Sequence, residues 1–295
     1  MEEKSEMLAE GTGDNTKITG LTENKEDREN DARNDVKEEI PFLDLSNHWI
    51  KPDMFDGIHI LDDSFEKIEG APNFRQIPGF PVFGTGQPTE KAIEDIINRV
   101  KTGKENQKII WFVMRQEPVV YINGESFAPR DPDNPHMNIS ARMEKDQIRS
   151  VESHLVKVLE KRKNESGNNT IQFKMDLEFA ENPMEREDEK DNLTVEDLEE
   201  PEHLYRKCGA KCNVVLEVIR VPIAEDQMPM DYMDTIIDAL KNEPASTPCV
   251  FNCQMGKGRT TVGMVAACLI KEIILTTELR SELKTSSSSS FSKLL

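Results

Sequence analysis

A chain of 295 residues, 36% hydrophobic and 32% charged, is long enough to bury a core for one or two domains and polar enough to leave part of itself unfolded. Its formal net charge of −19 is uneven, because residues 1–40 (13 acids, 6 bases) and 176–202 (13 acids, 2 bases) supply −18 of it. The acidic balance argues against broad, non-specific nucleic-acid binding, but with the remainder nearly neutral it does not argue against a phosphate pocket; no stretch reaches the roughly 18 apolar residues of a membrane span.

Residues 1–40 carry no aromatic side chain and read as a disordered acidic tail. The opening Met1-Glu2-Glu3-Lys4 has neither an apolar signal core nor the second-position glycine that N-myristoylation requires. Five cysteines, an odd number in a large chain, fit a reducing compartment, so a cytoplasmic location is expected. Between residues 41 and 70, Ile40-Pro-Phe-Leu and His48-Trp49-Ile50 either pack on the body or bind a partner.

The folded domain is placed at residues 65–276. Phe80 to Pro88 reads as a short strand and a tight loop. Thr89 is a candidate N-cap for a helix from Glu90 to Val100, with Ile93, Ile96, Ile97 and Val100 on one face and Gly103 as the stop. Ile109 to Met114 is a continuous apolar run, the pattern of a buried parallel strand. Asn123-Gly124 predicts a hairpin between Val119 and Phe127. Arg115 lies just past the buried strand, at the sheet edge where α/β proteins bind ligands; it either contacts phosphate or pairs with Glu117 or Asp131.

A long charged helix is predicted over Ile139–Lys163, its core stripe formed by Met143, Ile148, Val151, Leu155, Val158 and Leu159. A loop over 164–170 and a strand over 171–179 follow. The acidic insert, 176–202, is expected to be a solvated loop over its main part, 180–202. Val214–Val221 reads as a second buried strand, Pro222–Pro229 as a loop and Met230–Leu240 as a helix. Strands alternating with helices predict an α/β fold with a mostly parallel central sheet flanked by helices. Residues 277–295 end in a serine run and read as a disordered tail.

The chemistry concentrates in Val250-Phe251-Asn252-Cys253-Gln254-Met255-Gly256-Lys257-Gly258-Arg259-Thr260-Thr261. Pro248 to Phe251 predicts a short buried strand, and Thr261 to Ile274 a helix. Gly256 and Gly258 let the intervening loop curl its N–H groups inward, and the following helix adds its positive end. Arg259 can fork two hydrogen bonds to a phosphate, and the backbone of Gln254, Met255, Gly256, Lys257, Gly258 and Thr260 supplies the remaining donors. Cys253 in that field is expected to be partly thiolate, a nucleophile for phosphoryl transfer through a cysteinyl-phosphate, with Thr260 donating to its sulfur. A nucleotide P-loop is excluded, since there the lysine precedes Ser or Thr, and here Gly258 follows Lys257. Cys249 either faces the core or quenches Cys253 as a disulfide. Cys208 and Cys212 lack further ligands at metal spacing and read as unpaired thiols. No metal or cofactor is called for.

Cys253-Gln-Met-Gly-Lys-Gly-Arg-Thr-Thr resembles the active-site loop of the paladin family, relatives of the cysteine-dependent and phytase-like phosphatases. Ala71-Pro-Asn-Phe-Arg-Gln resembles that family's repeat opening, Trp111 to Gly124 its signature strand and hairpin, and Val221 to Pro229 its acid-loop region. The resemblance spans about Gly70 to Ile274 and implies one repeat of a family that carries several in tandem. It implies a cysteine-phosphatase-like fold, with further helices after the loop helix. It also implies a general acid four positions before the proline, which here is Glu225 with Asp226 adjacent; both remain candidates, and both could instead cap the next helix. Lys257 would favour a polyanion such as an inositol phosphate or phosphoinositide head group, with a phosphoprotein as the other substrate class. The alternative reading is an inactive pseudophosphatase, an adaptor that binds phosphorylated ligands and signalling proteins.

Overall fold

The computed structural model describes residues 48–53, 61, 67–103, 107–130, 138–139, 143–174, 190–224 and 232–291. All of them fall in one compact unit, residues 42–295. The tail at 1–40 and residues 176–189 of the acidic insert therefore lie outside the described residues. In chain order the elements are β1 (Trp49–Pro52), β2 (Arg75–Gln76), β3 (Val82–Thr85), α1 (Glu90–Val100), β4 (Gln107–Val113), β5 (Val120–Ile122), β6 (Glu125–Arg130) and α2 (Lys145–Glu165). There follow β7 (Thr170–Lys174), β8 (Lys190–Thr194), β9 (Leu198–Glu199), α3 (Pro201–Lys211), β10 (Val214–Arg220), α4 (Met233–Leu240), β11 (Cys249–Asn252) and α5 (Gly258–Phe291).

The central sheet has the order β10-β4-β11-β3-β2, parallel except for β2 at one edge. The two-residue period of a strand sends neighbours to opposite faces. Trp111 and Val250 join Ile93, Ile97 and Tyr205 of α1 and α3 in one core, while Phe112 and Phe251 join Ile236 and Met264 of α4 and α5 in the other. Phe112 and Phe251 stack with ring centroids 4.6 Å apart. Gly84 is needed for the close packing of β3 under α5: a Cβ there would overlap Met264 Sδ and lie 2.8 Å from Thr260 Cγ2.

α1 opens at the predicted residue because Thr89 Oγ1 accepts the Ala92 N–H at 3.1 Å. Replacing the buried Thr89 with Ala orphans that donor, so Thr89→Ala should lower unfolding free energy by about 1 kcal/mol. A urea melt checks this as a lower midpoint at unchanged slope. The hairpin turns where Asn123 and Gly124 both take positive φ, 52° and 81°, as a primed turn requires.

A second sheet, β1-β6-β5-β9, is antiparallel and carries α2 on one face. His48-Trp49-Ile50 packs on the body, with Ile50 fully buried in the core that also holds Ile148, Leu155 and Leu159 of α2. α2 starts at Lys145 rather than Ile139, because Asn138 is bridged to Arg130 in extended form and Gln147 Oε1 turns back to accept the Glu144 N–H at 2.8 Å. The predicted strand after α2 is β7, which pairs with β8.

Residues 190–202, read as solvated loop, hold β8, β9 and the start of α3, a helix that periodicity missed and that Pro201 initiates. β10 is an edge strand and not a buried one, with Val215 52% exposed. α5 continues through Phe291, past the predicted limit at 276, and its outer face exposes Val265, Leu269 and Ile273. Among the described residues, no helix is long and apolar enough to cross a membrane.

Candidate active site

β11 lies between β4 and β3, and its C-terminal end opens on the edge of the parallel sheet. Asn252 pins that end: its Oδ1 accepts Trp111 Nε1–H at 2.9 Å, and its Nδ2 donates to Gln87 Oε1 at 3.2 Å. Cys253 follows, then the loop, and α5 begins at Gly258. Gly256 makes the turn at φ +73°; a Cβ there would overlap the Gly86 nitrogen and sit 2.6 Å from the Thr85 carbonyl carbon. Gly258, by contrast, stands in the first turn of α5 facing open space, so the curl rests on Gly256 alone. Gly256→Ala should therefore destabilise the protein by about 2–3 kcal/mol and abolish orthovanadate binding. Thermal unfolding and a vanadate titration check the two effects.

Cys253 is 3% exposed, and the fully buried Thr260 donates its hydroxyl to Sγ at 3.1 Å. Among the described residues none accepts from the N–H groups of Gln254, Met255, Gly256 or Lys257. The next N–H groups belong to the first turn of α5, whose amides have no partner within the helix until Thr261 bonds the Lys257 carbonyl at 2.8 Å. Unpaired amides next to a buried sulfur make an anion site.

Arg259 donates from Nη1 to both oxygens of Glu117, at 2.7 and 2.9 Å, and to the Ile223 carbonyl at 2.9 Å. Its Nε and Nη2 have no partner among the described residues. Lys257 is half-exposed, and no described residue pairs with its ammonium. Glu225 and Asp226, the candidate acids, lie outside the described residues.

Arg115 is fully buried and pairs with Asp53, with Glu117 at 3.4 Å and with Gln87 Oε1 at 3.2 Å. Burial disfavours its charge, but Asp53, Glu117 and Cys253 outweigh burial and raise its pKa. Of the two carboxylates weighed for it, Glu117 is a partner, and Asp131 lies outside the described residues. Asp53, which no motif marked, also accepts Gln254 Nε2 at 2.9 Å, and Gln254 Oε1 accepts Asn138 Nδ2 at 2.9 Å. Asp53, just past β1, and Asn138, bridged to the end of β6, thus hold the residue after the nucleophile. The other residues the motif reading passed over are Asn73 before β2, Arg75 within it and Gln87 after β3; the first two fall in the Ala71–Gln76 stretch that carried part of the resemblance.

Cys249 faces the core, and four residues of strand separate it from Cys253 by about 13 Å, beyond disulfide reach. Glu90, Glu94 and Cys208 lie close enough to hold a cation, but Lys211 already donates to both carboxylates at 2.8 Å.

A cysteine under unpaired loop amides, at the end of a central parallel strand and with an arginine six positions on, defines a cysteine-phosphatase-like domain. The chain belongs to the PTP-like phytase family, whose model, described by the words "inositol hexakisphosphate", matches residues 112–271. It is 30% identical over 223 residues to paladin from Xenopus tropicalis, covering 71% of this chain and 24% of that protein. Against paladin from Homo sapiens it is 27% identical over 220 residues, covering 68% and 25%. The chain therefore spans about a quarter of the length of these curated relatives. Among solved structures, the tandemly repeated protein tyrosine phosphatase-like phytase from Mitsuokella multacida matches with a TM-score of 0.50 at 16% identity, covering 74% of this chain and 35% of that one.

Proposed function

We propose that this chain is a cysteine-dependent phosphatase domain that hydrolyses a phosphomonoester through a cysteinyl-phosphate. The observation that carries the reading is the buried Cys253 sulfur, bonded by Thr260 and bordered by unpaired loop amides. Sγ attacks phosphorus, the bond to the leaving oxygen breaks, and Asp226 or Glu225 protonates that oxygen. Arg259 and the amides of residues 254–259 take the equatorial oxygens. Water, activated by the same acid residue in its ionised form, then attacks phosphorus. Inorganic phosphate leaves and the sulfur regains its electron pair, with Thr260 stabilising it. The arginine and the amides supply the positive charge that a metal supplies elsewhere, so the mechanism needs no cofactor.

The half-exposed Lys257 favours a polyanion, an inositol phosphate or phosphoinositide head group, over a lone phosphotyrosine. The five cysteines, all free, suit a reducing cytoplasm. The test is phosphate release by the purified chain from inositol phosphates, phosphoinositides and phosphotyrosine peptides. Release ranked in favour of the inositol compounds supports the reading. No release from a cooperatively folded protein that still binds them overturns the enzyme claim and leaves the binding adaptor.

A further inference from the structure

We propose that Arg75 is a positioning residue of the Cys253 loop, one of three donors that turn consecutive loop carbonyls outward and so turn the loop amides toward the anion site. The inference rests on the phosphatase-site reading above and deepens it. In a planar trans peptide the carbonyl of one residue and the N–H of the next point in opposite directions. Fixing a carbonyl therefore aims the following amide.

Three carbonyls in a row are fixed here. The Gln254 carbonyl accepts the Gln87 N–H at 2.8 Å. The Met255 carbonyl accepts Asn73 Nδ2 at 2.8 Å, and the Gly256 carbonyl accepts Arg75 Nη1 at 2.6 Å. All three donors come from residues 73–87, on one side of the loop. The amides of Met255, Gly256 and Lys257 accordingly point away from that side, and they are among those without a partner in the described residues.

Arg75 does more than fill a bond. Its Nη2 donates to Thr261 Oγ1 at 2.8 Å, and that hydroxyl donates in turn to the Lys257 carbonyl at 2.7 Å. One guanidinium thus ties the loop to the first turn of α5, and Nη1 also bonds the Asn73 carbonyl at 3.0 Å. The side chain is 8% exposed, so the fork is held in one place. Burial lowers its pKa. A lysine could keep the charge but cannot place two nitrogens in that fixed fork.

The test alkylates Cys253 in the full chain with iodoacetate and with iodoacetamide. Both reagents need the thiolate, so the ratio of their rates cancels its population and reports how well the loop receives an anion. The other thiols stay protonated near neutrality: burial pushes Cys249 up to about 11, and burial with the Glu94 and Glu90 carboxylates pushes Cys208 up to about 12. Burial also raises Cys212 and Cys268. Mapping of the modified peptide identifies the site.

The wild type should favour iodoacetate, and Arg75→Gln and Arg75→Lys should each lower the ratio about tenfold, the scale of one charge-assisted hydrogen bond. Thr261→Val, which removes only the Nη2 partner and the Lys257 bond, should lower it less. This last variant changes an exposed residue and carries the test if the Arg75 variants fail to fold. An Arg75→Lys protein with the wild-type ratio would overturn the clamp, as would a folded Arg75→Gln that melts lower but keeps the ratio. A wild type with no preference for iodoacetate would overturn the anion site along with it.

Discussion

Cys253→Ser should lower phosphate release by about 10⁴-fold or more, while leaving affinity for the same ligand within a few-fold. A serine hydroxyl is not ionised near neutrality, and the sulfur's one described polar contact is Thr260, a donor that cannot take its proton in the manner of a general base. The loss therefore falls on the chemical step. Binding survives because the unpaired amides of residues 254–257 belong to the backbone, and the substitution keeps a small acceptor for Thr260. The measurement pairs a steady-state release assay with calorimetric titration of the preferred inositol phosphate. Acid quenching of the wild type during turnover should trap a phosphorylated Cys253 peptide, absent from the variant. Equal release by the two proteins would mean that a contaminant, or another group, does the chemistry.

Asp53→Ala should destabilise the fold by about 3–5 kcal/mol, the largest stability effect expected of a single substitution here. Asp53 is fully buried, and so is the Arg115 guanidinium it faces. Removing the carboxylate leaves a charge in the interior with Glu117 at 3.4 Å and the neutral Gln87, and it also frees Gln254 Nε2. Among the described residues, Arg115 Nε and Nη2 already lack a hydrogen-bond partner, so Glu117 alone is left to offset the charge. Denaturant unfolding should show a lower midpoint with the slope retained. The double variant Asp53→Leu with Arg115→Met removes both charges and should recover a large part of the loss, because the penalty comes from the unpaired charge. A loss under about 1 kcal/mol in the single variant would mean that Arg115 reaches water or another acid.

Much of the architecture was readable locally. The Ile93, Ile96, Ile97, Val100 spacing marks α1, the 109–114 run marks β4, and Asn123-Gly124 marks the hairpin. Each of these signals lies within a few residues of the structure it specifies. α3 escaped because it is a short stretch of mixed polar and apolar residues that begins inside the acidic insert and resembles solvated chain; Leu204, Tyr205 and Cys208 become a core face only against α1 and β4. β10 misled for the opposite reason. Val214-Val-Leu-Glu-Val-Ile is as apolar as a central strand, but whether a second neighbour covers it is a property of the sheet.

The candidate site divides the same way. Sequence alone determined that a cysteine and an arginine stand six positions apart on a strand, a glycine-bearing loop and a helix, since strand period, helix propensity and the positive φ of Gly256 act over neighbouring residues. Only the tertiary structure decided what holds that loop. Arg75 reaches the Gly256 carbonyl across 181 positions, and Asp53 reaches Gln254 across 201. Such pairings leave no periodic trace, because a buried polar group is selected by the partner that folding brings to it and not by its neighbours along the chain.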